Sequence, residues 1–226
     1  MTELTWLGHG SWLVQTGNQT LLIDPFLNDS PTAPVKADGV SPDYILVSHG
    51  HADHVSDCAA IARRTGATVI SNFEICQWLS QQGVKKTMAH NLGGGSTHPF
   101  GRVKLTLALH SSALPDGANG GNPSGFLLWL ADGVIYFACD TGLFYDMKLI
   151  GAVGIDLAVL PIGDLFTMGP DDSIEAIKLL TPKRVAPSHY GTWPPIAQDA
   201  AAWADRVRRE TKAEPYVVPP GGKIKL

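Results

Sequence analysis

The sequence contains no apolar run long enough to cross a membrane. The stretch over residues 157–162 is far shorter than the roughly 20 residues that a transmembrane helix needs. The first residues, MTELTWLGHGSWLV, also lack the basic start, the continuous apolar core and the small-residue cleavage site of a signal peptide. We therefore predict no membrane association and a cytoplasmic location.

Cysteine and basic residues are also scarce. Cys58, Cys76 and Cys139 are odd in number and widely spaced, which argues against a disulfide scaffold or a zinc knuckle and favours a reducing compartment. The 17 Lys and Arg residues are outnumbered by 21 Asp and Glu residues, which gives a net charge of −4. Nucleic-acid binding normally needs clustered Lys and Arg. We therefore predict a small-molecule substrate and no nucleic-acid partner, and we leave open whether the chain forms a homo-oligomer.

The composition that remains is that of a packed enzyme, since 44% of the 226 residues are hydrophobic. This length suits one α/β domain over residues 1–226. Hydrophobic periodicity and turn residues predict the elements. Predicted strands cover residues 4–7, 11–16, 20–23, 44–48, 67–70, 103–109, 126–130, 134–138, 157–161, 184–186 and 216–218, and predicted helices cover 55–64, 73–81, 172–180 and 196–209. The Gly-rich residues 116–125 are predicted as a functional or mobile loop.

One short run, HGHADH at positions 49–54, lies at the junction of a predicted strand and a predicted helix. Side chains two residues apart in an extended backbone project to the same side, so His49 and His51 can bind one metal ion. A turn into the helix is needed to bring Asp53 and His54 to a second ion. Imidazole and carboxylate ligands suit zinc, manganese or iron. The run therefore predicts a metal site.

This run, preceded by the apolar YILVS, is similar to the His-x-His-x-Asp-His signature of the metallo-β-lactamase superfamily. The stretches GHGSWLV, LLIDPFL, ALHSS, ACDTG, FTMGPDD and APSHYGTWP resemble uncharacterised bacterial metal-dependent hydrolases near the ascorbate-6-phosphate lactonase-like group. The resemblance spans nearly the whole chain. It implies the metallo-β-lactamase fold, an α/β (α+β) four-layer αβ/βα sandwich with its site at one edge of two packed sheets.

The resemblance also implies a dinuclear metal site that takes two divalent ions, zinc first, with manganese or iron as alternatives. One ion is then held by His49, His51 and His110, the other by Asp53, His54 and His189, and Asp140 bridges the two. The hydrophobic pattern independently places His110, Asp140 and His189 just after predicted strands, where a rigid sheet typically carries functional residues.

Two ions in such a site activate a bridging hydroxide, so the predicted activity is metal-dependent hydrolysis of a small-molecule lactone, ester or amide. We expect Asp140 to orient the hydroxide and Asp53 to accept a proton during turnover. His9 either donates to the substrate, supports a ligand or is purely structural. Tyr190 either donates to a developing oxyanion or packs as an ordinary aromatic. Asp24 either holds a ligand histidine from behind or only caps a turn.

Three other functions stay open. A two-metal site also serves phosphodiester hydrolysis, and the chain can instead be a metal-dependent metabolite-binding protein without turnover. An oxidoreductase needs redox-active iron, and the resemblance argues against it because flavodiiron enzymes carry a Glu where His51 stands. Each alternative needs a measurement of turnover or of metal identity.

The sequence also predicts the burial or position of several residues outside the ligand set. Cys139 is predicted as a buried core thiol turned away from the metals by strand alternation. The resemblance places residues 167–169 at the pocket, although Met168 can equally fill the core. His90 and His98 lie in Gly-rich, loop-like surroundings and are predicted as surface residues.

Overall fold

The computed structural model describes residues 1–226. The strands are β1 Glu3–Trp6, β2 Trp12–Thr16, β3 Gln19–Ile23, β4 Tyr44–Leu46, β5 Thr68–Asn72, β6 Thr87–His90, β7 Gly95–His98, β8 Gly101–Leu107, β9 Ser124–Leu130, β10 Gly133–Phe137, β11 Leu157–Pro161, β12 Arg184–Ser188, β13 Glu214–Pro215 and β14 Lys223–Lys225. The α-helices are α1 Ala52–Val55, α2 Cys58–Thr65, α3 Phe73–Gln81, α4 Met147–Gly151, α5 Pro170–Leu180 and α6 Ala200–Glu210. None of them combines the length and apolarity needed to cross a membrane.

The strands form two mixed seven-stranded sheets with similar topology. The first sheet has the order β14-β1-β2-β3-β4-β5-β6 and the second has the order β13-β12-β11-β10-β9-β8-β7. Each sheet has antiparallel strands on one side and parallel strands on the other, and the parallel strands are β3 to β6 in the first sheet and β10 to β13 in the second. Parallel neighbours require crossover connections, and most of these carry the helices.

Three apolar cores divide the molecule into four layers. Trp12 and Phe126, two large fully buried side chains of the central core, come from opposite sheets and pack between them. A second core joins the outer face of the first sheet to α2 and α3, with Ile61 and Leu79 buried in it. A third core joins the second sheet to α5 and α6, where Trp203 is buried. The layers are therefore helix, sheet, sheet, helix, which confirms the predicted αβ/βα sandwich.

Two tight hairpins connect strands that the sequence predicts as neighbours along the chain. Gly17, with φ of +56°, turns β2 into β3, and this left-handed conformation suits glycine. Ala131 and Asp132 connect β9 to β10, and Gly133 follows with φ of +154°. Other boundaries shift by a few residues: α5 begins at Pro170 instead of 172, and the helix predicted over 55–64 is two helices, α1 and α2.

Two sequence predictions are wrong in detail. The closing strand predicted at residues 216–218 is instead the short β13, followed by β14, which pairs with β1 at the other end of the chain. Prolines at positions 215, 219 and 220 lack the N–H that a continuous strand would need there. His90 and His98 lie at the ends of β6 and β7 and are half-buried, with His98 stacked on Phe100. They are not free surface residues.

Candidate metal centre

The predicted ligand residues come together at one edge of the sandwich. His49 follows β4, His51 precedes α1 as its N-cap, and His110, Asp140 and His189 follow β8, β10 and β12. In the parallel part of the second sheet, Phe137 is in register with Val159, and Pro161 with Ser188. Residues that follow these strand ends therefore share the same edge.

Two glycines allow the histidine loops to approach closely. A Cβ atom at Gly10 would lie 2.8 Å from Cε1 of His54, and one at Gly50 would lie 3.1 Å from the side chain of Leu114. The first distance is shorter than any ordinary carbon contact. The backbone before β2 thus packs directly against the His54 imidazole, and only glycine permits that.

Four imidazoles converge on a single carboxylate oxygen. The distances from Asp140 Oδ2 to the histidine Nε2 atoms are 2.9 Å for His189, 3.3 Å for His54, 3.7 Å for His110 and 4.0 Å for His49. All five side chains are buried or nearly so, with His110 the most accessible at 13% exposed. Asp140 therefore occupies the centre of the cluster.

The ligand-type atoms divide into two main groups on either side of Asp140. One group consists of His49, His51 and His110, and the other of His9, Asp53, His54 and His189; the ligand atoms within each group lie within 4.8 Å of one another. Nitrogen and carboxylate donors at this density suit divalent transition metals. The division agrees with the two ligand sets that the resemblance implies, with His9 added to the second.

Several buried polar atoms of the cluster lack a hydrogen bond. They are Nε2 of His54, Oδ1 of Asp140 and both ring nitrogens of His189. Buried polar groups without partners are rare and each calls for an explanation. Metal ions held by the cluster would supply partners for the Nε2 atoms of His54 and His189 and for Asp140, so these residues fit the divalent ions that the sequence implies.

Asp24 supports two of the histidines on the side of the ring away from the cluster, His54 directly and His49 through Ser48. Its Oδ2 accepts hydrogen bonds from Nδ1 of His54 at 2.9 Å and from the Ser48 hydroxyl at 2.6 Å, and its Oδ1 accepts the Ser48 N–H at 2.7 Å. The Ser48 hydroxyl oxygen lies 2.9 Å from Nδ1 of His49 and accepts its proton. Both Nδ1 atoms are thus engaged on the side of the ring away from the cluster, and both Nε2 atoms point into the cluster, where they could bind a metal. Of the two alternatives for Asp24, the geometry matches the support of ligand histidines.

His9 is engaged on both sides of its ring and is fully buried. Its Nε2 donates to Oδ2 of Asp53 at 3.0 Å, because a carboxylate can only accept, and its Nδ1 accepts the Thr192 hydroxyl at 2.8 Å. Burial lowers the pKa of His9 to about 4, and the nearby His189 lowers it as well. His9 therefore orients Asp53 as a neutral imidazole and has no nitrogen left for a substrate.

The electrostatics keep both carboxylates ionised. Burial alone would raise the pKa of Asp140, but His189 and His54 lie against it and hold that pKa well below its usual range. The hydrogen bond from His9 and the nearby His54 likewise lower the pKa of Asp53 against the effect of burial. A carboxylate with so low a pKa is a weak base, so this environment suits Asp53 as a ligand better than as a proton acceptor.

Backbone strain is concentrated at this site. Six non-glycine residues have positive φ, and four of them are His9, Asp24, Cys139 and His189. Such conformations cost about 1 to 3 kcal/mol each and persist only where the surroundings enforce them. The packing of two sheets here holds side chains in positions that local preferences alone would not give.

The remaining predicted residues have different surroundings. Tyr190 stacks on Trp6 with ring centroids 5.2 Å apart, and burial raises its pKa to about 12, so the structure favours the packing alternative for it. Met168 is fully buried in the third core, while Thr167 is half-buried beside it. Cys139 is half-buried instead of buried as predicted, because it follows β10 and the strand alternation no longer applies to it. It packs against the central core and belongs to none of the groups that could hold a metal.

Residues 116–125 form an anchored loop. Asn72, at the end of β5, donates to the carbonyls of Gly120 and Asn122, and the Trp78 indole donates to Asp116 at 2.7 Å. The preceding Ser112 accepts the N–H of Gly50, inside the histidine run. Sequence reasoning missed these supports and Thr192, because single hydroxyl and amide side chains have no recognisable spacing.

Comparison with known proteins agrees with this geometry. The family model described as "Beta-lactamase superfamily domain" matches residues 3–189. The chain is 46% identical over 236 residues to a UPF0173 metal-dependent hydrolase of Heliobacterium modesticaldum, covering 100% of this chain and 98% of the relative. It is 45% identical over 226 residues to one of Thermus thermophilus, covering 100% of both.

A solved structure extends the similarity. Igni18, a metallo hydrolase from Ignicoccus hospitalis, is 33% identical, with a TM-score of 0.90 over 99% of this chain and 97% of that one. The fold and the site are those of a metal-dependent hydrolase of the metallo-β-lactamase fold. Within that class, the chain belongs to the UPF0173 metal-dependent hydrolase family of the β-lactamase superfamily.

Proposed function

We propose that this protein hydrolyses the acyl bond of a small lactone, ester or amide at a dinuclear metal centre. The observation that carries the proposal is the position of Asp140, whose Oδ2 lies within 4.0 Å of histidines from both ligand groups. A carboxylate in that position can contact two ions. The groups themselves would be His49, His51 and His110 on one side and Asp53, His54 and His189 on the other.

Two divalent ions in these groups would supply a hydroxide nucleophile near neutral pH and polarise the substrate's reacting oxygen. The chain's own residues would bind and orient. Asp24 and Ser48 keep the His54 and His49 rings in the tautomer that ligation requires. His9 fixes Asp53, whose side chain is 30% exposed and therefore open to an incoming substrate.

The experiment compares metal-depleted protein with protein reloaded with zinc, manganese or iron(II). Each form is given lactones, carboxylic esters and amides, together with bis-p-nitrophenyl phosphate and cyclic nucleotides. We expect acyl hydrolysis that requires metal and is abolished in His110→Ala, and we expect His98→Ala to remain active because His98 lies outside the cluster. Faster cleavage of the phosphodiesters would favour the phosphodiesterase alternative. Tight metabolite binding without product under any metal would favour a binding protein.

We also propose a cytoplasmic location for this activity. All three cysteines are free, and stable disulfides are characteristic of oxidising compartments. Fractionation of the native host followed by immunodetection would test the location, and recovery of the protein outside the cytoplasm would contradict it.

A further inference from the structure

Four exposed apolar side chains lie beside the candidate metal centre. Leu109 directly precedes His110, Leu165 and Phe166 lie in the turn after β11, and Trp193 lies four residues after His189. They are 50%, 64%, 59% and 37% exposed, respectively. We call these four residues the apolar rim. Large exposed apolar side chains on several segments next to a functional site call for a binding partner.

Backbone contacts connect the segments of Leu109, Leu165 and Phe166 to the segments that bear the candidate ligands. The N–H of Met168 donates to the carbonyl of Thr141 at 2.9 Å, and the N–H of Leu109 donates to the Thr141 hydroxyl at 2.9 Å. Thr141 immediately follows Asp140. A Cβ atom at Gly163 would lie 2.3 Å from the His189 carbonyl, so the start of the turn touches a second ligand segment. The turn that bears Leu165 and Phe166 is therefore attached between Asp140 and His189.

The fourth member, Trp193, is held by aromatic contacts. Its ring centroid lies 5.0 Å from that of His9 in an edge-to-face arrangement and 6.0 Å from that of the buried Phe26. His9 is itself hydrogen-bonded to Asp53. Trp193 thus forms a fixed apolar wall on the side of the second ligand group.

The segments around the site also contain no lysine or arginine. None of the 17 Lys and Arg residues lies in the segments that carry the ligands or the rim, which are residues 8–26, 47–57, 107–125, 138–146, 162–170 and 187–200. The rim turn instead contributes the exposed carboxylate of Asp164. A substrate with a carboxylate or phosphate away from the reacting bond would find no counter-ion there, and Asp164 would repel it.

From these observations we propose that the substrates are neutral acyl compounds with an apolar chain or ring of several carbons. The reacting bond lies at the metal centre while the apolar part packs on Leu109, Leu165, Phe166 and Trp193. This inference rests on the proposed hydrolytic metal centre and names its substrate class. The rim residues are specificity residues, since they contact the substrate away from the reacting atoms.

The test measures binding of alkyl hydroxamates, which are neutral metal chelators, to the zinc-loaded protein by calorimetry. The series is aceto-, butyro-, hexano- and octanohydroxamate, with suberic monohydroxamate as an anionic counterpart of the longest member. We expect affinity to rise by about two- to fourfold for each methylene that contacts the rim. We expect the suberic compound to lose most of the gain because its terminal carboxylate meets no cation.

Substitutions in the apolar rim test whether these residues cause the gain in affinity with chain length. In Leu165→Ser and Phe166→Ser, the ratio of octano- to acetohydroxamate affinity should fall by about threefold or more. The matched control is Leu149→Ser, because Leu149 is 71% exposed but lines a separate cavity against β8 and β9. That control should keep the wild-type ratio.

The outcomes distinguish this inference from the proposed function. If acetohydroxamate binds but affinity is flat along the series, or if the suberic compound binds as tightly as octanohydroxamate, the substrate class is wrong and the metal centre stands. If the zinc-loaded protein binds acetohydroxamate no better than the metal-free protein does, the centre has no position open to a substrate, and both proposals fail. A dimer that dissociates in Leu165→Ser would show that a second copy covers the rim, which also overturns the inference.

Discussion

Thr192 supports the metal centre through an intermediate residue. Its hydroxyl donates to Nδ1 of His9, which obliges Nε2 of His9 to carry the proton that Asp53 accepts. The two contacts join segments 183 and 44 residues apart in the sequence, so no local pattern indicates them. From this arrangement we expect Thr192 and His9 to position Asp53, and Asp53 to bind a metal ion.

Replacement of Thr192 by Val should weaken metal binding without changing any ligand. The variant leaves Nδ1 of His9 buried without its donor, which costs about 1 to 3 kcal/mol, and it frees the ring to adopt the other tautomer. Loss of such supporting hydrogen bonds typically lowers metal affinity by about 10- to 100-fold. Competition with a chromophoric zinc chelator measures the change. Thr192→Ser keeps the hydroxyl and should stay near wild type, and equal zinc affinity in the Val variant would contradict the assignment.

Gly10 offers a second test at the same scale. A methyl group there would meet the His54 ring at 2.8 Å, so Gly10→Ala should displace this imidazole and lower both zinc content and the free energy of unfolding. Gly142→Ala is the matched control, because its Cβ would lie 3.9 Å from the Leu109 carbonyl, an ordinary contact. Elemental analysis of both purified variants gives the answer. Full zinc content in Gly10→Ala would show that the close packing is unimportant.

The members of the cluster were predictable from the sequence because four of them occupy one short run and the other three follow apolar strands. His49 and His51 share a side of the chain by simple strand geometry, and α1 provides the turn that Asp53 and His54 need. The environment of His9 was not predictable. Whether its ring faces a substrate or a ligand depends on contacts that only the folded chain creates.

At the scale of elements, strand β14 shows how the chain ends complete the first sheet. It pairs with β1, and its Ile224 is buried in the central core between the sheets. Ile224→Ala should lower the free energy of unfolding by about 2 to 5 kcal/mol through lost burial and the cavity left behind. Chemical denaturation of both proteins measures this difference in the free energy of unfolding. Val217→Ala, at a position 41% exposed, should change stability far less, and equal effects would contradict this account of the core.

The strands that the sequence failed to predict have few buried apolar residues. Strands β6 and β7 contain few apolar residues and lie at sheet edges, so their pairing depends on neighbours rather than on hydrophobic alternation. Strand β14 has only one buried residue. By contrast, β11 is buried at every position and β9 at nearly all, and both were predicted within two residues of their bounds.

For the molecule as a whole, the histidines predict how the metal-free protein responds to acid. Burial lowers the pKa of six of the eight histidines, His9, His49, His51, His90, His98 and His110, while His54 is shifted the other way by Asp140 and Asp24. A histidine with a lowered folded-state pKa binds more protons when unfolded, so its contribution to stability is lost as pH falls below about 6.5. His54 offsets part of this loss.

We therefore expect the metal-free protein to be less stable at pH 5 than at pH 7.5, over a window that extends from about 6.5 down to the His9 pKa of about 4. Zinc binding should weaken over the same range, because protons compete for the imidazoles. Denaturant titrations of the metal-free protein at the two pH values provide the measurement. Greater stability at pH 5 would mean that the buried histidines are not held neutral.

The central claim is that one edge of this sandwich holds two divalent ions that hydrolyse an acyl bond. It is tested most directly by adding zinc stepwise to metal-depleted protein while following both bound metal and hydrolysis of a neutral ester or lactone. The account predicts binding of about two ions per chain in the wild type and about one or fewer in Asp140→Ala, with hydrolysis appearing only as the sites fill. Hydrolysis by metal-free protein, or full zinc binding by Asp140→Ala, would contradict it.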